Sequence, residues 1–263
     1  MAGNKPGFLM ETALLTHGVS SVTQEDMLSA WEGRDYHLAW VDNGFVRIGG
    51  MNEYLPFRLR AGEVGRIDCY TLEKAERDGF SGALTASGTM EVCKRMGIPL
   101  AVTCGMGGIG DIKGEELCPD LPALRDIPVT LLCTSPKDML DRPATFSWLK
   151  SAGVAVLCME RDVSTGYIFT GCEIALDGAI KETLPIGKML ILNEIPQELR
   201  LSDITILQRA VEEGHKAEAE GKYFHPAVNG EIDRLSRGYS SRLQFEWFIK
   251  NGDLAAELTS QTI

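Results

Sequence analysis

The chain has 263 residues, 44% hydrophobic and 24% charged, with a mean hydropathy of −0.05, a balance that excludes a disordered chain and permits a full core. Acidic side chains number 37 and basic ones 26, a formal charge of −11 with no compensating basic arm, so duplex nucleic acid and anionic membrane are not expected partners. The N-terminus lacks an apolar run of signal-peptide length, and no stretch is apolar for the roughly eighteen residues a membrane span needs. A cytoplasmic protein forming one α/β domain over residues 1–263 is expected.

In chain order, His37–Val41, the dipeptide Asn43-Gly44 and Phe45–Ile48 predict a tight hairpin, because Asn-Gly accepts positive φ at little cost. Ser81–Met96 is rich in small residues with apolar positions at helical spacing and predicts a closely packed helix stopped by Gly97. Ile98–Thr103 predicts a buried strand that empties into the glycine-rich run Gly105–Gly110. Val129–Cys133 as strand, Asp138–Ser151 as helix, Val154–Met159 as strand and Met189–Leu192 as strand repeat the same alternation. From Ser202 onward the chain reads as helical, with Ile204, Leu207, Val211 and His215 along one face, helices that should cover the sheet. The expected fold is α/β, a three-layer α/β/α sandwich around a central mixed sheet.

Seven cysteines, an odd number with no C-x-x-C pair, argue against a disulfide framework or a zinc site, and most read as small core residues. The histidines His17, His37, His215 and His225 are too scattered to predict a metal cluster or a His-based triad. The glycines after Thr103 read either as a tight turn or as an anion-binding loop, since their spacing matches no nucleotide fingerprint. Lys137 directly follows an apolar strand, where α/β active sites lie; a desolvated lysine there can attack a carbonyl, although most loop lysines do not. Glu11, before Ala13-Leu14-Leu15, reads as a buried general acid or as a solvated carboxylate at a helix start. Asp111, Glu115, Glu116 and Asp120 suit a hard cation or an acidic surface loop equally.

Taken together these segments resemble the pseudouridine-5′-phosphate glycosidase family, also called indigoidine synthase A-like proteins. The resemblance runs nearly end to end. It is carried by Glu11-Thr12-Ala13-Leu14-Leu15-Thr16-His17-Gly18 (family E-S-T-I-I-x-H-G), by the hairpin Leu38–Gly49 and by Ser81–Met90 (family N-G-A-T-T-V-A-A-T-M). It continues through Thr103–Gly108 (family T-G-G-I-G-G), Cys118-Pro119-Asp120-Leu121 (family S-A-D-L), Lys137 and Leu192–Pro196 (family A-N-P-I-P), with Asp120 and Lys137 at the family's separation of 17 residues.

The resemblance implies that Lys137 is the nucleophile that bonds C1′ of the ribose and that Glu11 protonates the ring oxygen. It places a divalent metal, Mn²⁺ or Mg²⁺, at Glu116, where the family has Asp. Arg66, Thr85, Ala86, Cys118, Pro119, Asp120 and Gln244 fall on substrate-binding positions, and the assembly it implies is a homotrimer. Reversible cleavage of a C-nucleoside 5′-phosphate into ribose 5-phosphate and a heterocyclic base is the activity expected. Alternatives are a C-nucleoside synthase using a base other than uracil and a sugar-phosphate-binding protein without turnover. Arg66, Thr85 and Gly105–Gly108 are expected to meet as a phosphate pocket. The sequence departs from the family pattern at Arg66, where the family has lysine, and at Gln244, where it has asparagine. A histidine and an arginine after the glycine loop are replaced by Gly110 and Asp111, and the span from Lys137 to Asn193 is shorter.

Overall fold

The computed structural model describes residues 5–110, 117–159, 161–180 and 187–260. The apolar strand β1 (Phe8–Met10) runs almost directly into the short helix α1 (Ala13–His17). Helix α2 (Gln24–Trp31) starts at a capping box, in which Thr23 accepts from the Asp26 N–H and Asp26 accepts from the Thr23 N–H. The expected hairpin forms from β2 (Leu38–Asp42) and β3 (Phe45–Gly49), turning at Asn43 and Gly44 with φ of 52° and 77°.

Helix α3 (Met51–Arg58), β4 (Gly65–Ile67), α4 (Leu72–Asp78), β5 (Gly82–Leu84) and α5 (Ala86–Met96) follow. The helix expected from Ser81 therefore begins five residues later. Thr85 is its N-cap, accepting from the Gly88 N–H, and the residues before it are drawn into the sheet between β2 and β4. Gly88 is required because a Cβ there would collide with the Ile67 carbonyl oxygen.

Next come β6 (Leu100–Val102), β7 (Gly105–Met106), α6 (Asp120–Asp126), β8 (Thr130–Cys133), β9 (Ser135–Pro136) and α7 (Arg142–Ser151). Helix α7 starts at Arg142 rather than Asp138. Asp141 caps it by accepting from the Ala144 N–H, whereas the Asp138 carboxylate accepts the N–H groups of Tyr167, Ile168 and Phe169.

The chain ends with β10 (Ala155–Cys158), β11 (Val163–Gly166), β12 (Thr170–Ala175), β13 (Gly178–Ala179), β14 (Met189–Leu192) and helices α8 (Ile204–Ala219), α9 (Phe224–Leu235) and α10 (Tyr239–Ser260). On α8 the buried face is Ala210, Gly214 and Ala217, while Ile204 is 47% exposed and His215 is also exposed. Gly214 packs against Phe224 and Val228 of α9, so a small-residue edge of α8 is its most buried side, while Leu207 and Val211 of the expected face pack, partly buried, against the hydrophobic core.

The main sheet runs β13-β10-β14-β8-β6-β1-β2-β5-β4, with β3 also on β2. Pairing is parallel except where β2 meets β3 and β5, which makes the sheet mixed. Alternate residues of one strand feed different cores: Phe8 and Met10 point into one and Leu9 into the other, as do Leu100 and Val102 against Ala101. Helices α1–α3 and α8–α10 cover the first core and α4–α7 the second, completing the three layers. Among the described residues no helix is long and apolar enough to cross a membrane.

Candidate active site

The carboxyl ends of β1, β6 and β8 lie side by side, and each is followed by a polar residue: Glu11, Thr103 and Thr134. Glu11 is pinned by its backbone N–H, which donates to the Val102 carbonyl at 2.9 Å. Beyond β8, the small β7–β9 pair carries the chain to Lys137, whose N–H donates to the Met106 carbonyl at 3.2 Å. Rigid parallel backbone thus fixes both residues. Glu11 is 6% exposed and Lys137 7%. They line one narrow cleft with Ala13, Leu14, His17, Gly18, Arg66, Gly105, Pro226 and Asn229.

Burial displaces both groups toward their neutral forms. The Glu11 carboxyl is pushed up to about 7, chiefly by desolvation, which outweighs the opposing pull of the Lys137 ammonium. Lys137 is held below the ordinary lysine range, first by desolvation and then by the Arg66 guanidinium, with Glu11 and Asp120 opposing. Both displacements run toward the forms in which a carboxyl donates a proton and an amine attacks, so a candidate proton donor and a candidate nucleophile line one cleft.

Asp120 heads α6 and is buried, and its carboxylate accepts the Ser87 N–H at 3.0 Å and the Gly107 N–H at 2.8 Å. It ties the first turn of α5 to the glycine loop. Ile109 donates its N–H to Thr145 Oγ1, and a Cβ on Gly107 would collide with Cys118 Sγ. The N–H groups of Ser87, Gly107 and Ile109 are thus engaged within the chain, Gly107 lets Cys118 pack against the loop, and Gly105 lines the cleft. Thr85 caps α5 and Ala86 is buried behind it, while Cys118 and Pro119 are half-buried beside Asp120. None of these four lines the cleft around Lys137.

Gln244 lies on α10 and also stands back from the cleft. Its Oε1 accepts from the Tyr167 hydroxyl at 3.0 Å and its Nε2 donates to the Ser240 carbonyl at 3.2 Å. Tyr167 packs against Gly105, where a Cβ would fall 2.7 Å from the phenol oxygen, so Gln244 reaches the cleft only through Tyr167. Arg66, by contrast, lines the cleft itself, with its Nε buried and without a hydrogen-bond partner.

The structure brings in three residues that the sequence did not single out as ligand contacts. Nε2 of His17, Nε2 of His225 and Oδ1 of Asn229 are buried and unpartnered. Arg66 lowers the proton affinity of both imidazoles, but burial is the larger cause, and His225 is pushed down to about 3. A buried polar group without a partner costs about 1–3 kcal/mol, so the two of these that line the cleft, His17 and Asn229, suit a polar ligand there. Helix α9, distant in sequence from Lys137, carries two of the three, and only the expectation that C-terminal helices cover the sheet hinted at its presence.

Glu116, with Asp111 and Glu115, lies outside the described residues. Among those described, no group of three His, Cys, Asp or Glu side chains is placed to hold a metal ion, and both oxygens of Asp120 already accept backbone N–H groups. The described residues do not fit a metal centre.

The family model described as indigoidine synthase A like protein matches residues 2–261. The chain belongs to that family. A relative named pseudouridine-5′-phosphate glycosidase from Petrotoga mobilis is 26% identical over 98% of this chain and 92% of its own length. One of the same name from Geobacillus kaustophilus is 25% identical over 99% and 94%. The crystal structure of an indigoidine synthase A-like protein from Thermotoga maritima superposes with a TM-score of 0.83 at 19% identity, covering 99% of this chain and 95% of the other. The prealnumycin C-glycosynthase AlnA, solved with ribulose 5-phosphate, gives 0.75 at 21% identity over 98% and 93%. These two likenesses confirm the α/β/α fold.

Proposed function

We propose that this chain reversibly cleaves the C–C glycosidic bond of a C-nucleoside 5′-phosphate of the pseudouridine 5′-phosphate kind, releasing ribose 5-phosphate and a heterocyclic base through a Schiff base on Lys137. The observation that carries the reading is the buried Lys137–Glu11 pair, both members displaced toward the neutral form, in one cleft at the carboxyl ends of parallel strands. Relatives named for pseudouridine-5′-phosphate glycosidase, aligned over nearly the whole chain, support the substrate class.

A C–C glycosidic bond offers no leaving oxygen, so its cleavage needs an electron sink at C1′. Neutral Lys137 Nζ attacks C1′, the C1′–O4′ bond breaks, and the Glu11 proton passes to O4′. Nζ, cationic after the attack, gives a proton to the Glu11 carboxylate and so regains its lone pair; the bond from C1′ to the base then breaks, its electron pair staying on the base carbon, which takes that proton from Glu11, while the Nζ lone pair forms the C=N bond. Water adds to the imine and returns free lysine and ribose 5-phosphate. Run backward, the same steps join ribose 5-phosphate to a base, and the direction used depends on concentrations.

The reading includes a divalent cation, manganese or magnesium, at Glu116, a homotrimeric assembly and a cytoplasmic location, all carried by the family resemblance; no step above runs through a metal. Incubation with ribose 5-phosphate and borohydride followed by intact-protein mass spectrometry tests the chemistry. The wild type should gain one reduced sugar phosphate, and Lys137→Ala should gain none and lose at least about three orders of magnitude in rate. A Lys137→Ala enzyme that keeps a tenth of the activity refutes the assignment.

A further inference from the structure

Three strand ends at the carboxyl edge of the sheet are joined by one side chain that the chemistry of Lys137 and Glu11 does not use. Asn251, on α10, is fully buried. Its Nδ2 donates to the Thr103 carbonyl at 2.8 Å and to Thr134 Oγ1 at 3.1 Å, and its Oδ1 accepts from Asn193 Nδ2 at 2.9 Å. Thr103, Thr134 and Asn193 directly follow β6, β8 and β14, three neighbours in the sheet. Gly252 seats the helix closely enough for this reach, since a Cβ there would fall 2.8 Å from the Tyr36 ring.

The backbone explains why an amide is needed. Between β6 and β8 the Thr130 N–H donates to the Pro99 carbonyl and the Thr103 N–H to the Leu132 carbonyl, a pattern that would next place the Thr134 N–H on the Thr103 carbonyl. That N–H instead meets the Cys104 carbonyl at 2.7 Å, which releases the Thr103 carbonyl from the ladder. A buried carbonyl so released needs another donor, and Asn251 supplies it. Beyond this break the strands continue as β7 and β9, which bring Gly105 and Lys137 to the wall of the cleft. Thr103 bears on Glu11 as well, whose proton affinity its buried side chain lowers.

We propose that Asn251 is a positioning residue for the imine chemistry: it holds the break between the β6–β8 and β7–β9 ladders and so keeps the Lys137 amine in the buried geometry from which it attacks. The carbon attacked rests on the function proposed above; the hold on the amine does not. Lys137 is faced by Glu11 from β1, Arg66 from β4, Cys104 between β6 and β7, Cys118 and Asp120 around the start of α6, and His225 from α9. Replacing Asn251 by an uncharged residue alters none of these groups, so a change in the protonation of Lys137 reports its exposure to water.

Competitive acetylation of the full chain with acetic anhydride across pH, read by peptide mass spectrometry against the exposed Lys74, tests this without any substrate. In Asn251→Ala, shown folded by circular dichroism, the labelling midpoint of Lys137 should rise by at least about one pH unit, because water reaches an amine that burial had held neutral. Borohydride trapping of ribose 5-phosphate should slow about 100-fold, with the loss in kcat and with KM within about threefold of wild type. If Asn251→Ala does not fold, Asn193→Ala decides: it removes only the donor that orients the Asn251 carboxamide and should move the midpoint the same way by about half a unit. A folded variant that melts lower but whose Lys137 labels as in the wild type overturns the proposal, since that is the behaviour of a residue serving stability alone. A wild type that traps no sugar adduct refutes the C-glycosidase reading, and the labelling still decides the role of Asn251.

Discussion

Replacing Glu11 by glutamine should make the folded protein more stable and the enzyme inactive. Burial raises the Glu11 carboxyl from 4.5 to about 7. A carboxyl that holds its proton more tightly in the fold contributes stability that is present below about pH 4.5 and is lost as pH rises through about 7. At about 1.36 kcal/mol per pKa unit the full penalty is about 3 kcal/mol, of which about 2 kcal/mol develops between about pH 5.5 and about pH 8.5. Glutamine has nearly the same shape and no charge to desolvate. Urea unfolding of wild type and Glu11→Gln at those two pH values should therefore show the variant's advantage growing by about 2 kcal/mol, with other titrating groups such as Asp138 cancelling because both proteins keep them. The wild type's kcat/KM should fall above about pH 7, where Glu11 gives up the proton it must donate. An advantage that does not change with pH would show that the Glu11 carboxylate is solvated and would remove it as the acid.

Asp120→Asn should lower stability by about 2–3 kcal/mol, read as a drop in the calorimetric melting temperature, because the amide nitrogen then faces the N–H of Ser87 or Gly107. A variant that melts like the wild type would mean that the tie between α5 and the glycine loop contributes nothing. Exhaustive chelation should lower activity, Mn²⁺ should restore it, and Glu116→Ala should need more metal for half-restoration. Full activity in a protein shown metal-free by elemental analysis refutes a cation at Glu116.

Where a segment's own chemistry determines its conformation, the sequence is legible. Asn43-Gly44 needs positive φ and turns the hairpin; the runs Leu131–Cys133 and Met189–Leu192 are apolar on both faces because both faces of the sheet are covered. Gly82–Leu84 is hidden within a small-residue run that reads as helix, and only the capping hydroxyl of Thr85 and the neighbouring strands separate the two. On α8 the close approach of Gly214 to Phe224 and Val228 buries a small-residue edge, while of the expected row Leu207 and Val211 pack partly buried on the core and Ile204 and His215 stay exposed. Glu11 and Lys137 stand out in the motif order, whereas His225 and Asn229 fall in none of the motifs that carry the family resemblance. Their place in the site comes from the tertiary path of α9 and from hydrogen bonds left unmade, neither of which a linear pattern contains.

The electrostatics of the cleft give a reason for its arrangement of charge. An ammonium beside a carboxylate and an amine beside a carboxylic acid carry the same total charge, so moving between them is one internal proton transfer. Desolvation favours the neutral pair by acting on both members, and Arg66 acts further on Lys137 by disfavouring a second cation. A sugar phosphate seated against Arg66 would offset that guanidinium. Glu11, no longer drawn toward its carboxylate form by Arg66, would hold its proton more firmly, which is the state the ring-opening step requires. Lys137 would feel less repulsion, yet burial, the larger cause of its shift, would remain. Binding energy at the phosphate end is thereby coupled to the protonation of the acid, so a substrate without its phosphate should be handicapped in the chemical step as well as in binding.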